Sequence, residues 1–335
     1  MNPQLSFTSF PSGWFRVAES ASLPNMGVIP LRYFGKDLVL FRTEDGTACV
    51  MDAHCPHLGA HLGYGGKVEG ETIQCPFHGW CFDSNGHCTD IPYTSKIPSK
   101  AQIKTWLVRE VNGLIMVYYH AIKEPATWEI PELPEYTSEQ WTPWSRVFQW
   151  KTHASIQDLS EVTVVDTAHF GILHPDTFQS VKSSTVEVNS QVFIHRMSPE
   201  YNHLLPVAKT LGLIITGFWE VESYGLGYHI FRSRDRVLTE VETITLFTWT
   251  PIDEEYVEAC IRVKMKKVFN EIITRGLRKI GIAKGTKAFE EDLSILEHKL
   301  MPPHPLFCDG DGPLSQYRRW SSQFYKNLPA RTPIN

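Results

Sequence analysis

The sequence has no apolar run approaching a membrane span, no basic leader with an apolar stretch behind it, no block of like charges, no internal repeat and no low-complexity tract. It lacks a basic excess too. Its 32 Lys and Arg stand against 37 Asp and Glu, a net charge of -5, which argues against a phosphate backbone as the main partner. An even cysteine count is also missing: the 7 cysteines cannot all pair, and without an export signal they are expected reduced. These absences point to a cytoplasmic protein with no transmembrane segment and no nucleic-acid role. At 335 residues the chain can bury enough apolar surface to fold without staples, so a metal is not needed merely to hold it together.

From about Gly13 to His120, apolar runs such as Asp37 to Phe41 and Gly113 to Tyr119 are separated by the turn pairs Asp45-Gly46, Asn85-Gly86 and Asn112-Gly113. This predicts a small all-β domain over residues 1–122. In 123–145, Pro125, Pro131, Pro134 and Pro143 preclude a continuous helix or central strand, giving an extended connector. The second domain is placed at 146–335. There a helix is expected from about Ile156 to His169, and alternation at Val186, Val188, Val192 and Ile194, through Thr243 to Thr250 and through Tyr256 to Val263, predicts an antiparallel sheet. Val268, Phe269, Ile272, Ile273, Leu277 and Ile280 recur at helical spacing, and a second helical pattern runs from Ala288 to Leu300. The fold class is α+β: an N-terminal β domain, then a sheet covered by helices.

Five cysteines, Cys49, Cys55, Cys75, Cys81 and Cys88, fall in the first third, interleaved with His54, His57, His61, His78 and His87. Among them stand Cys55-Pro56-His57 and, after 17 intervening residues, Cys75-Pro76-Phe77-His78. Two loops each offer one thiolate and one imidazole. Two Cys on one iron and two His on the other is the Rieske [2Fe–2S] arrangement, in which neutral imidazoles replace two thiolates and raise the reduction potential. Cys55 and Cys75 would hold the buried iron; His57 and His78 would hold the outer one. A tetrahedral zinc site uses the same residue types, but zinc fingers typically pair Cys with Cys and His with His. Cys81 and Cys88 are within reach of a disulfide, though two buried thiols are the plainer reading. Trp80, directly after the second loop, is placed to cover the cluster or to join a subunit contact.

A second constellation is Asp166-Thr-Ala-His169-Phe-Gly-Ile-Leu-His174. Asp166 and His169 are three apart and would share a helix face. On an unbroken helix His174 would turn about 140° away, so a break near Gly171 and Pro175 is expected to let the imidazoles converge. Two His and one carboxylate on one face of iron leave positions open for dioxygen and solvent. Asp292 is the best carboxylate, on a helix anchored by Phe289, Leu293 and Leu296, with Glu290 and Glu291 as alternatives.

In this order the two motifs resemble the oxygenase component of Rieske non-haem iron enzymes, over nearly the whole chain. The resemblance implies a helix-grip catalytic domain, a [2Fe–2S] cluster on Cys55, His57, Cys75 and His78, and Fe(II) on His169, His174 and Asp292. It implies that Asp166 bridges His78 of one subunit to His169 of its neighbour, in a head-to-tail homotrimer. Within the family, Asp90-Ile-Pro-Tyr93, Trp128-Glu-Ile-Pro-Glu-Leu-Pro134, Glu291-Asp292, His298-Lys299, Asp311-Gly-Pro313, Arg318-Arg319-Trp320 and Phe324-Tyr325 are similar to the steroid-active branch, which includes 3-ketosteroid 9α-hydroxylase and the cholesterol 7-desaturases. Val162 departs from the asparagine many members carry there, and the membrane-anchoring N-terminus of animal sterol desaturases has no counterpart.

The expected reaction is hydroxylation or desaturation of an apolar small molecule, steroid-like or aromatic. O2 is the co-substrate, and NAD(P)H electrons arrive through a ferredoxin or flavin-containing reductase. Phe170, Phe178, Leu204, Leu205, Leu211, Leu213, Ile214 and Phe218 are candidates for the pocket wall, with His203 to Ile215 as an apolar lid. Another class of protein, an electron carrier without its own substrate, would have the first site alone.

Overall fold

The computed structural model describes residues 10–122, 124–201, 216–236, 239–300, 302 and 305–325. They divide into two compact units, one made of residues 14–132 with 250–254 and the other of the remainder.

The first unit is built from β1 (Gly13–Glu19), β2 (Val28–Tyr33), β3 (Lys36–Arg42), β4 (Ala48–Asp52), β5 (Lys67–Glu69), β6 (Thr72–Gln74), β7 (Cys81–Asp83), β8 (Cys88–Asp90), β9 (Thr105–Val111) and β10 (Leu114–Tyr119). They make a six-stranded sheet of order β1-β10-β9-β4-β3-β2 and a four-stranded sheet β5-β6-β7-β8. Asn112-Gly113 joins β9 to β10 with φ of 55° and 77°, the paired positive values that a tight hairpin requires and that Asn-Gly supplies at low cost. Val39, Phe41, Met51, Leu62, Ile73 and Phe82 fill the core between the cysteines.

The second unit holds β11 (Phe148–Thr152), β12 (Phe178–Asn189), β13 (Val192–Tyr201), β14 (Thr216–Tyr224), β15 (Tyr228–Arg236), β16 (Glu240–Pro251) and β17 (Val257–Met265). They form one sheet of order β11-β17-β16-β15-β14-β13-β12, antiparallel across the pairs β12 to β16 and β11 to β17. Its helices are α1 (Pro134–Thr137), α2 (Ile156–Val164), α3 (Phe170–Leu173), α4 (Glu271–Leu296) and α5 (Leu314–Ser321). Helix α4 is held to the sheet where Phe289 stacks on Trp249 at 5.5 Å and meets Trp150 at 5.0 Å, with Leu293 and Leu296 also buried. A short helix, α1, interrupts the proline-rich segment, with Pro134 in its first turn, where a missing N–H costs nothing.

Two local expectations are corrected. The helix from Ile156 stops at Val164, not His169, because the Glu161 carbonyl accepts from both Val165 N–H and Asp166 N–H and closes the last turn, so Asp166 and His169 share no helix face. The two helical patterns at 268–280 and 288–300 are one helix, α4, whose 26 residues run from the Asn270 cap to Leu296. The expected lid from His203 to Ile215, with Leu204, Leu205, Leu211, Leu213 and Ile214, lies outside the described residues.

Candidate metal centres

The two cysteine loops share one backbone frame. Cys55 N–H donates to the Ala60 carbonyl at 2.9 Å and Gly59 N–H donates back to the Cys55 carbonyl at 2.9 Å. In the second loop Cys75 N–H donates to Trp80 at 2.8 Å and Gly79 N–H to Cys75 at 3.0 Å. Both glycines are left-handed, with φ of 77° and 74°, a conformation costly for a residue with a Cβ. The frames are congruent while the histidine sits two residues after Cys55 and three after Cys75.

Cys55 and Cys75 are each 2 % exposed and belong to the apolar core, whereas His57 and His78 are half-buried. Burial, reinforced by the neighbouring Cys75, pushes the Cys55 thiol up to about 11. Such a thiol gives up its proton readily only to a cation that replaces it. His57 and His78 meet edge to face at 4.6 Å, and Trp80 stacks flat on His57 at 4.7 Å, tethered by its indole N–H to Tyr93 Oη at 2.7 Å. His57 Nδ1 is buried without a hydrogen-bond partner among the described residues, as befits a metal donor.

The fit favours a cluster over one zinc ion. A tetrahedral ion with bonds of about 2.0–2.3 Å would draw all its donor atoms within roughly 4 Å of one another. Among the described residues, one group of three or more such side chains gathers with all ligand atoms within 4.8 Å, and it is not this one. Two of the other histidines nearby hold backbone: His54 Nδ1 donates to the Gly59 carbonyl at 3.0 Å, and His61 Nδ1 accepts from Gly63 N–H at 3.0 Å. Cys81 and Cys88 are free, and burial raises both thiols.

The group that does gather is His169, His174 and Asp292. The two histidines flank α3, each a helix terminus, so one turn of chain brings their rings to 5.5 Å. Gly171 is needed there for a different reason from the expected break: a Cβ would meet the Gln179 carbonyl at 2.4 Å, so only glycine lets α3 press onto β12. Asp292 arrives from α4. Its Oδ1 lies 2.9 Å from His174 Nε2 and 3.5 Å from His169 Nε2.

A carboxylate stands behind each imidazole: Glu291 Oε2 is hydrogen-bonded to His174 Nδ1 at 2.8 Å, and Asp166 Oδ1 lies 3.3 Å from His169 Nδ1, an ion-pair contact without hydrogen-bond geometry. Carboxylates in that position fix ring orientation and raise ligand basicity. Burial pulls the His174 imidazole down, but hydrogen bonding to the Asp292 and Glu291 carboxylates overrides it, and the net shift is upward. Burial likewise opposes ionisation of Asp166, and contact with His169 leaves it below its ordinary value. A metal at Nε2 would need that nitrogen free of its proton. Glu291, one of the alternatives to Asp292, faces the back of His174, and Glu290 is exposed.

Helix α2 leads into the turn that carries Asp166. Ser155 Oγ caps it by accepting from Asp158 N–H at 3.0 Å. Arg318 grips the buried Glu161 through Nε at 2.6 Å and Nη2 at 2.7 Å, and Lys299 reaches Asp158. Of the pocket candidates, Phe170 and Phe178 pack beside the histidines, His169 to Phe170 at 4.8 Å and His174 to Phe178 at 6.4 Å. Phe218 does not: it is 43 % exposed, on the face of β14 opposite the buried Trp219.

Comparison with known proteins adds two family matches. Residues 13–106 match the Rieske [2Fe–2S] domain and residues 117–325 match the 3-ketosteroid 9alpha-hydroxylase C-terminal domain. A cholesterol 7-desaturase of Xenopus laevis is 30% identical over 336 residues, covering 95% of this chain and 72% of that protein. A probable 3-ketosteroid-9-alpha-monooxygenase oxygenase component of Rhodococcus rhodochrous is 32% identical over 315 residues, covering 88% of this chain and 75% of that one. Among solved structures, dicamba monooxygenase bound to dicamba superimposes with a TM-score of 0.76 at 16% identity, covering 95% of this chain and 98% of that one. NdmA of Pseudomonas putida with caffeine gives 0.75 at 19%, covering 92% and 89%. At those identities the structures establish the shared fold.

Proposed function

Because the chain belongs to the 3-ketosteroid 9α-hydroxylase family of Rieske non-haem iron oxygenases, we propose that it hydroxylates or desaturates a steroid or sterol-like substrate with O2 and electrons from a separate reductase. The observation that carries this is the presence of two distinct donor sets, a pair of buried thiols with half-buried imidazoles and a tight group of two histidines and one carboxylate. An electron carrier has no use for the second set. The substrate class rests on the steroid-acting names among the relatives, and a hydrophobic substrate agrees with the aromatic rings beside His169 and His174.

When bound, the cluster supplies one-electron transfer and the ferrous ion supplies dioxygen activation. Cys55, Cys75, His57 and His78 are assigned as cluster ligands, and His169, His174 and Asp292 as iron ligands. Glu291, bonded to His174 Nδ1, and Asp166, beside His169 Nδ1, would leave each Nε2 free to hold the ion. Trp80 covers one face of His57 and limits solvent there. Asp166, ionised against His169, is assigned the bridge to His78 of a neighbouring subunit in a homotrimer. NAD(P)H serves indirectly, through a ferredoxin or flavin-containing reductase. Among the described residues no helix is long and apolar enough to cross a membrane, and the free cysteines support a cytoplasmic location.

Metal analysis of freshly purified protein tests the assignment: about three irons and two acid-labile sulfides per chain are expected. Zinc with no sulfide would overturn it, and about two irons with no third would reduce the protein to an electron carrier. Asp166→Asn should keep both metals and abolish coupled turnover; normal turnover would remove the bridge.

A further inference from the structure

The inner face of the seven-stranded sheet carries a polar group that the metal chemistry leaves unused. Tyr201 at the end of β13, Trp219 on β14 and Asp235 on β15 converge: Tyr201 Oη donates to Asp235 Oδ1, and Trp219 Nε1 donates to the same oxygen at 3.2 Å. Gly217 lies between them. A Cβ there would meet Asp235 Oδ1 at 2.6 Å and the Tyr201 hydroxyl at 2.9 Å, so a missing side chain is what lets the tyrosine reach the carboxyl. Burial pushes the Asp235 carboxyl above its usual range in spite of these hydrogen bonds, and among the described residues no cation offsets it.

Aromatic rings connect this trio to the metal donors. Phe178 lies 5.5 Å from Tyr201, 5.2 Å from Trp219 and 6.4 Å from His174. Phe170 stacks on Phe178 at 5.1 Å and meets both Trp219 and His169, at 5.9 Å and 4.8 Å. One end of this aromatic wall is therefore a metal site and the other a carboxyl flanked by two donors. Burying a carboxyl among rings costs free energy that an apolar side chain would not. Sites for apolar ligands have this composition, with rings supplying contact area and a few polar groups fixing orientation.

We propose that Tyr201, Trp219 and Asp235 form an orienting subsite for a hydroxyl or carbonyl oxygen at one end of the substrate, with Tyr201 Oη turning its proton from Asp235 to that oxygen. The apolar skeleton then lies along Phe178 and Phe170, with the reacting carbon at the metal end. The subsite rests on the steroid reading above, since such a skeleton is rigid and a hold on one end sets which carbon meets the iron.

The test is equilibrium dialysis of the metal-loaded protein with 5α-androstane-3,17-dione and its two mono-ketones, which remove one oxygen at a time. One mono-ketone should bind about tenfold more weakly than the dione, the loss of one well-made hydrogen bond. Tyr201→Phe and Asp235→Asn should each cut that discrimination below about threefold while iron and sulfide content stay unchanged. Gly217→Ala should do the same by displacing the tyrosine. Equal binding of all three ketones by the parent protein, or discrimination that survives in metal-loaded variants, would overturn the subsite. Binding of none of the three overturns the steroid reading itself, a result told apart because discrimination is then absent from the outset rather than lost on substitution.

Discussion

The two proposed metal centres are built in opposite ways. The residues assigned to the cluster sit on two short loops, each braced by its own backbone hydrogen bonds and a left-handed glycine, so each half is nearly complete within six residues of sequence. The iron group draws His174 and Asp292 from positions 118 residues apart, and their meeting depends on α4 docking through Phe289, Leu293 and Leu296. A locally braced site tolerates strain elsewhere in the chain. A site assembled over long range fails when its scaffold loosens.

The largest effects should come from ligands themselves, and they should separate the two centres. Cys75→Ser is expected to remove the sulfide and all coupled turnover while leaving about one iron per chain on the second group; loss of that iron too would show the centres are not independent. Asp292→Ala should do the reverse, keeping the visible spectrum of the cluster and losing the third iron.

Glu291→Gln comes next, since it weakens the hold on His174 without removing a ligand. Iron affinity should fall about 10–100-fold, read by competition with a chelator, and an unchanged affinity would put Glu291 outside the site.

Acid should distinguish the units as well. Burial holds His229, paired with Ser223 at 2.8 Å, down to about 3, and depresses His195 in the same direction. The unfolded chain takes up the His229 proton below about 6.5 and the folded one does not, so stability falls as pH drops from there to about 3, by about 1.4 kcal/mol per pH unit. Denaturant melts of the protein at pH 7 and pH 5 should show this loss, and His229→Gln should flatten the slope. The smallest effects belong to the cluster loops. Gly79→Ala would force a left-handed alanine whose Cβ meets Pro92 at 2.8 Å, whereas Gly59→Ala has open space and carries only the backbone strain of about 1–2 kcal/mol. Melting temperatures should fall further for the first than for the second.

This contrast also governs what the sequence made legible. The two matched loops that carry Cys55, His57, Cys75 and His78 could be read from their spacing, and the matching Gly59 and Gly79 stand in the same two segments. Asp292 and Glu291 are neighbours on one helix, and periodicity cannot say which meets Nε2 and which Nδ1 of a histidine 117 or 118 residues away. The end of α2 was placed too late because β-branched Val162, Thr163, Val164 and Val165 continue an apolar pattern that the Glu161 carbonyl cuts short. Tyr201, Trp219 and Asp235 escaped notice because each is one alternate position on a different strand. Their one signal is Ser233 and Asp235 facing inward between outward arginines.

The bracing of the cysteine loops by main-chain hydrogen bonds bears on which changes they accept. Those bonds join amide and carbonyl groups alone, so a loop side chain that is neither a metal donor nor one of the two left-handed glycines can vary without loosening the frame.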